Sequence, residues 1–138
     1  MPETAYLSVV IPSYNEEKRL PKTLGEIDKY LRNQSYEYEI LVVNDGSKDK
    51  TAQSVESLKP KIQNLRLIDN KENRGKGFVV RQGMLEAKGD YRLFTDADNS
   101  TSIDQVEKIW PYLKSGYDVV IGSRRVKGAV LDPPQPFH

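Results

Sequence analysis

Short β-branched apolar runs alternate along this chain with stretches whose apolar residues return every three or four positions, and that alternation constrains the fold more than any other feature. Residues 7–11, Leu-Ser-Val-Val-Ile, predict a buried strand stopped by Pro12, with a loop over 12–17. Leu20, Leu24, Ile27 and Leu31 then fall on one face of a helix that tolerates Pro21 in its first turn. The pattern repeats. Residues 38–43 predict a second strand, and Asp49 caps a helix that turns Ala52, Val55 and Leu58 inward. Residues 65–68 predict a third strand, and Val80, Met84 and Ala87 mark a helix ending near Gly89 and Asp90. Residues 91–96 form a fourth strand, Ile103, Val106, Ile109, Trp110 and Leu113 a helical stripe broken at Gly116, and 117–121 a fifth strand.

Strands alternating with helices imply right-handed crossovers and an α/β fold: a mostly parallel open sheet with helices on both faces, Rossmann-like in outline. In such sheets ligands bind beyond the carboxyl ends of the strands. Four stretches occupy those ends, 12–17, 44–49, 96–100 and 123–125, with the glycine loop at 75–77 close by. The 138 residues suit one domain with a core, which is expected over residues 1–125. Residues 126–138, with Pro133, Pro134 and Pro136, read as a connection towards further chain.

Composition removes several function classes. Lys and Arg number 21 against 20 for Asp and Glu, so no overall field draws the chain to nucleic acid or an anionic membrane. With no cysteine there is no disulfide, thiolate metal site or cysteine nucleophile. No apolar run approaches a bilayer span and residues 1–4 do not begin a signal peptide, so the expected location is cytoplasmic. The sequons at Asn33 and Asn99 then carry no weight.

Asp96 and Asp98 bracket Ala97 at the mouth of the fourth strand, where alternate side chains point the same way. Two carboxylates there can share a hard divalent cation, Mg²⁺ or Mn²⁺, if a diphosphate supplies further oxygens; the bland alternative is a loop cap. Gly75-Lys76-Gly77 before a helix resembles a phosphate cradle, to which Arg74 and Lys76 add charge, or else a plain loop-to-helix junction. Asp45 can accept hydrogen bonds from a base or ribose, and Pro12-Ser13-Tyr14 can offer backbone groups and an aromatic wall. Ser47 and Asp49 read as helix caps, while Ser123 and Arg124 can hold phosphate or form a solvated edge.

Taken in order, residues 9–17 (VVIPSYNEE), 43–51 (VNDGSKDKT), 73–77 (NRGKG), 96–98 (DAD) and 122–124 (GSR) resemble the family 2 glycosyltransferases of GT-A fold. Within them the opening and the NRGKG loop look most like the dolichyl-phosphate or polyprenyl-phosphate glucosyltransferases, with the related mannosyltransferases next. The resemblance implies a nucleotide-diphosphate sugar donor, UDP-glucose or GDP-mannose, a polyprenyl-phosphate acceptor, and an inverting, metal-dependent transfer at the cytoplasmic face of a membrane. Residue by residue, Pro12, Tyr14 and Glu16, with Asn15 between them, match positions around the nucleotide, and Asp45, followed by Gly46, matches the base-recognising carboxylate. Arg74, Gly75, Lys76 and Gly77 match the loop beside the diphosphate, and Asp96, Ala97 and Asp98 match the DxD motif, whose second carboxylate in particular holds the metal. Ser123 and Arg124 match a motif near the diphosphate and acceptor. No general base is assignable, and the acceptor half, with its membrane-associated helices, is expected beyond residue 138.

Other readings stay open on the residues alone. The chain can be a module that holds a nucleotide sugar without turning it over, or act on a saccharide acceptor. A haloacid dehalogenase-type phosphatase also places Asp-x-Asp after a strand, but near the chain start and with Thr or Val where Ser100 stands. A nicotinamide dehydrogenase needs a third glycine at the position of Val80.

Overall fold

The structure, a computed structural model, describes residues 5–117. It divides into two compact units, Met1–Thr101 and Ser102–His138. In the first, β1 (Ala5–Ser13), α1 (Leu20–Arg32), β2 (Tyr38–Asp45), α2 (Thr51–Leu58), β3 (Leu65–Asn70), α3 (Lys76–Glu86) and β4 (Gly89–Phe94) follow in strict alternation. The strands form one parallel sheet in the order β3-β2-β1-β4. The expected fold class is therefore what the chain adopts.

The topology follows from handedness. The first two crossovers carry α1 and α2 in one direction, and α1 packs against α2. The third returns from β3 across to β4, so with the same hand α3 covers the opposite face. Strand alternation matches this division. Val10, Leu41 and Val43 form a cluster with Val79 of α3 and with Ala87, against which Ile68 and Met84 pack. The alternate residues Val9, Ile11, Ile40 and Val42 are fully buried on the other face, as are Leu20, Leu24, Ile27 and Leu31 of α1, the stripe read from sequence.

Helix α3 buries a different set of positions from the one its sequence suggests. Its buried positions are Val79 and Gly83, with Val80 and Met84 half-buried, so the predicted face is turned by one residue. The helix stops at Glu86 because Ala87 is extended; Gly89 is no helix cap but the first residue of β4, where a Cβ would meet the Ser8 backbone at 2.7 Å. In α2 the buried positions are Thr51 and Val55, while Ala52 and Leu58 are half-buried. Lys50 occupies the N-cap position, and Asp49 serves from one residue earlier, its Oδ1 accepting the Thr51 N–H at 2.9 Å.

Two strand boundaries also differ from expectation, for a linked reason. Pro12 lies inside β1, paired with Val43, rather than ending it. On the β4 side, Val10 C=O accepts the Thr95 N–H at 3.0 Å, and the next β1 residue facing that way is Pro12, which has no N–H to give. The β1–β4 register ends at Val10 and Phe94, so β4 spans 89–94 instead of 91–96 and Asp96 stands beyond it, in a loop.

In the second unit the predicted helical stripe is split. Ile103–Lys108 is a 3₁₀ helix whose buried residues, Ile103 and Val106, keep its three-residue spacing, and α4 (Trp110–Lys114) follows. Gly116 (φ 102°) ends this segment in a left-handed turn, as expected for a breaker. Beyond Tyr117, the predicted fifth strand, Ser123, Arg124 and the proline-rich stretch lie outside the described residues. Among the described residues no helix is long and apolar enough to cross a membrane.

Candidate functional site

The sheet order puts its topological switch between β1 and β4: β1 connects through α1 to β2 on one side of it, while β4, reached through α3, pairs on the other. A cleft of about 320 Å³ opens there, lined by Pro12, Ser13, Tyr14, Glu16, Asp45, Lys76, Val79, Asp96, Ala97 and Asp98. Stretches more than eighty positions apart in the sequence thus share one rim, because parallel strands bring every strand-end loop to the same edge.

The loop after β1 is fastened to the loop after β2. Asn15, in the left-handed region at φ 54°, gives its N–H to Ser47 Oγ at 2.9 Å and accepts the Lys48 N–H on its Oδ1 at 2.9 Å. The Glu16 N–H donates to Thr51 Oγ1 at 2.9 Å and the Glu17 N–H to Asp49 Oδ2 at 3.2 Å. Burial alone would raise the Asp49 pKa, but the Thr51 hydroxyl and the Glu17 and Thr51 amides bond its charged form and hold it below the usual range. Ser47 and Asp49, read as helix caps, are therefore also latches between loops. Glu16 turns its carboxylate to Arg19 at 2.6 Å, and Tyr14, 42% exposed, forms part of the cleft wall.

Asp45 ends β2, 4% exposed, and holds the glycine loop. Its Oδ1 accepts the Arg74 N–H at 2.7 Å, and its Oδ2 accepts the Gly75 N–H at 3.0 Å and Asn73 Nδ2 at 3.3 Å. Gly46 makes the approach possible: at φ +68°, a Cβ on it would lie 2.5 Å from Asn73 N. The Arg74 guanidinium does not line the cleft; it bonds Glu72 at 3.3 Å and lies over the Phe78 ring, 5.3 Å from its centroid. Lys76 does line it, and its Nζ stands 2.6 Å from Asp96 Oδ1.

The Asp96-Ala97-Asp98 turn is braced from below. The Thr23 hydroxyl on α1 donates to Ala97 C=O at 2.7 Å, Asn99 Nδ2 bonds Glu26, and Ala97 is buried. Asp98 Oδ1 accepts the Ser100 N–H at 3.0 Å. The two carboxylates do not alternate along a strand as expected, yet both face the cleft. Among the described residues no three His, Cys, Asp or Glu side chains gather to hold a metal unaided. Two hard oxygen donors at the lip of an open cleft still suit Mg²⁺ or Mn²⁺ whose remaining ligands come from a diphosphate. The site also uses residues to which sequence reasoning gave no role: Asn73, Thr23, Thr51 and Val79. Asn73 and Thr51 carried a signal, their places in the NRGKG and VNDGSKDKT stretches; Thr23 and Val79 carried none.

With this geometry in view, comparison with known proteins identifies the family. The family model for Glycosyl transferase family 2 matches residues 8–136. The chain belongs to that family. It is 42% identical over 133 residues to a dolichyl-phosphate beta-glucosyltransferase of Trichomonas vaginalis, covering 89% of this chain and 41% of that protein. The Homo sapiens dolichyl-phosphate beta-glucosyltransferase is 42% identical over 113 residues, covering 77% of this chain and 35% of that one. This family 2 chain thus spans about two fifths of the length of the curated relatives it matches. Among solved structures, TarS of S. aureus in complex with UDP-GlcNAc matches with a TM-score of 0.67 and 26% identity, over 88% of this chain and 36% of that one. A mannosyltransferase from Pyrobaculum calidifontis, solved with GDP-Man and Mn²⁺, shares the fold, with a TM-score of 0.70 and 23% identity over 89% of this chain and 36% of that one.

Proposed function

We propose that this chain is the donor-binding part of a glucosyltransferase that moves glucose from UDP-glucose to a dolichyl or polyprenyl phosphate. The observation that carries the reading is the meeting of Lys76, Asp96 and Asp98 with Tyr14 and Asp45 in one cleft at the switch point of the sheet. The names of the relatives support glucose over mannose and a dolichyl phosphate over a saccharide acceptor. Residues 1–125 form the donor domain and 126–138 the connection; the acceptor, and contact with the cytoplasmic face of a membrane, fall to the part of the relatives that this chain does not span.

In this reading Pro12, Tyr14, Asn15, Glu16, Asp45 and Gly46 surround the nucleoside. Lys76 and the first turn of α3 at Gly75 and Gly77 face the diphosphate, since the first amides of a helix have no partner within it and favour anions. Arg74 positions the loop through its main chain. Asp96 and Asp98 would hold a divalent cation, which supplies Lewis-acid stabilisation of the charge that builds on the leaving diphosphate. The acceptor phosphate, with a second pKa of roughly 6, is largely dianionic at neutral pH. It attacks the anomeric carbon opposite the nucleotide, inverting it, and requires no base from this chain.

A thermal-shift series with UDP, UDP-glucose, GDP and GDP-mannose, with and without Mn²⁺, tests the reading. A metal-dependent rise with the uridine ligands alone is the expected result. A rise with the guanosine ligands alone moves the donor to GDP-mannose, and no response to either removes the donor-binding role.

A further inference from the structure

Lys76 and Asp96 are each suited to a ligand, and in the structure each is occupied by the other. Lys76 Nζ lies 2.6 Å from Asp96 Oδ1, while the Lys76 and Asp96 side chains are 60% and 46% exposed. A carboxylate neutralised by an ammonium is a poorer ligand for a divalent cation, and an ammonium held by a carboxylate is less available to a diphosphate. Exposure leaves the pair exchangeable, because neither group has to cross an apolar barrier to leave it. The geometry keeps the choice local. Lys76 is the first residue of α3, its loop is held at Gly75 by Asp45, and the Asp96 turn is braced by Thr23, so only the flexible lysine stem has to move.

We propose that Lys76 is a positioning residue that exchanges partners: it pairs with Asp96 when the cleft holds no nucleotide, and moves to the donor's diphosphate when one enters, releasing Asp96 to a divalent cation. The proposal rests on the donor-binding reading above. Its consequence is thermodynamic. Nucleotide and cation each bind more tightly in the presence of the other, and part of that coupling runs through the lysine rather than through shared oxygen ligands.

Mn²⁺ binding, read from the electron paramagnetic resonance signal of the free ion, and UDP binding by calorimetry test this with the wild-type chain, Lys76→Met, Lys76→Gln and Lys71→Gln. Both Lys76 variants should bind Mn²⁺ alone roughly 1.5-fold to fivefold more tightly, the range of an exposed ion pair. They should bind UDP more weakly in saturating Mn²⁺, and so show a smaller coupling factor. Lys71→Gln removes an exposed charge that pairs with Asp69 instead, and should leave Mn²⁺ binding alone unchanged. Unchanged or weaker Mn²⁺ binding in the Lys76 variants overturns the exchange, as does an equal gain in Lys71→Gln, which would mark a diffuse field. If wild-type chain fails to bind UDP even with Mn²⁺, the donor-binding reading itself has failed; if UDP binds and only the Lys76 effect is missing, the exchange alone has.

Discussion

Asp45 at the end of β2 accepts the N–H of Gly75 at 3.0 Å, tying the strand to the residue that caps α3. With the Arg74 N–H at 2.7 Å on its other oxygen, the carboxylate does structural work that its match to a base-recognising position did not foretell. An ionised carboxylate has about four acceptor sites, so the loop amides leave capacity for a nucleoside as well. Asp45→Asn turns one acceptor into a donor facing amide hydrogens. The expected cost is roughly 1–3 kcal/mol in urea denaturation, together with weaker UDP binding. Unchanged stability would show that the loop does not hang from Asp45.

Thr23 supports the metal-facing turn from α1. Thr23→Val keeps the shape but leaves the Ala97 carbonyl without its donor, and Thr23→Ser keeps the hydroxyl. The valine variant should lose about 1 kcal/mol of stability and more Mn²⁺-dependent UDP affinity than the serine variant. Equal UDP affinities in the two would remove Thr23 from the site's support.

Gly83 and Gly77 lie on the same helix and should respond oppositely to alanine. A Cβ on Gly83 would collide with Val10 Cγ1 and come 2.9 Å from Val43 Cγ2, inside the α3–sheet core, whereas around Gly77 nothing lies within 4 Å. Gly83→Ala should destabilise by about 1–3 kcal/mol despite alanine's better helix propensity. Gly77→Ala should stabilise by about 0.5–1 kcal/mol, and weaken UDP binding if the diphosphate approaches the backbone there. Thermal unfolding and calorimetry of the pair check both signs.

The sequence carried the fold where local pattern and tertiary burial agree. The α1 stripe of Leu20, Leu24, Ile27 and Leu31 faces the sheet as its period requires, and all four are fully buried. It failed where a long-range constraint decides. That β4 ends at Phe94 depends on the missing N–H of Pro12, eighty-two residues earlier, and no window around Phe94 contains that fact. The rim was legible because parallel topology collects strand ends. The latches were not: Asn15 with Ser47, Asp45 with Gly75 and Thr23 with Ala97 join residues whose individual identities suit any turn or helix.

Glu39 makes part of the acid stability specific. It is 2% exposed, and its carboxylate accepts the Ser8 hydroxyl, the Lys88 N–H and Arg66, each at 2.6 Å. Burial pushes its pKa up, but those three donors outweigh it and leave the value below the ordinary 4.5. As pH falls, the unfolded chain takes up this proton before the folded chain does. The contribution is therefore complete above pH 4.5 and is lost as the pH drops from there through the folded value. Urea midpoints measured from neutral pH downwards should fall in that window. In Glu39→Gln the fall should be shallower, from a neutral-pH stability lower by roughly 1–3 kcal/mol.

Asp98 should separate metal binding from nucleotide binding. It sits in the turn that Thr23 and Asn99 brace, its Oδ1 accepts the Ser100 N–H at 3.0 Å, and Asp96 beside it is paired with Lys76. The match to the DxD motif gives the second carboxylate, Asp98, the larger share of the cation, and before donor enters its loss leaves only a carboxylate paired with Lys76. Asp98→Ala should therefore abolish the Mn²⁺-dependent part of UDP-glucose affinity while the contacts of Tyr14, Asp45 and Lys76 preserve a weaker, metal-independent part. Asp96→Ala should cost less, because it releases Lys76 to the diphosphate as it removes a ligand. Calorimetric titrations of both variants, with Mn²⁺ and with a chelator, decide the order. A larger loss for Asp96→Ala would make Asp96 the principal ligand and Lys76 its competitor even when donor is bound.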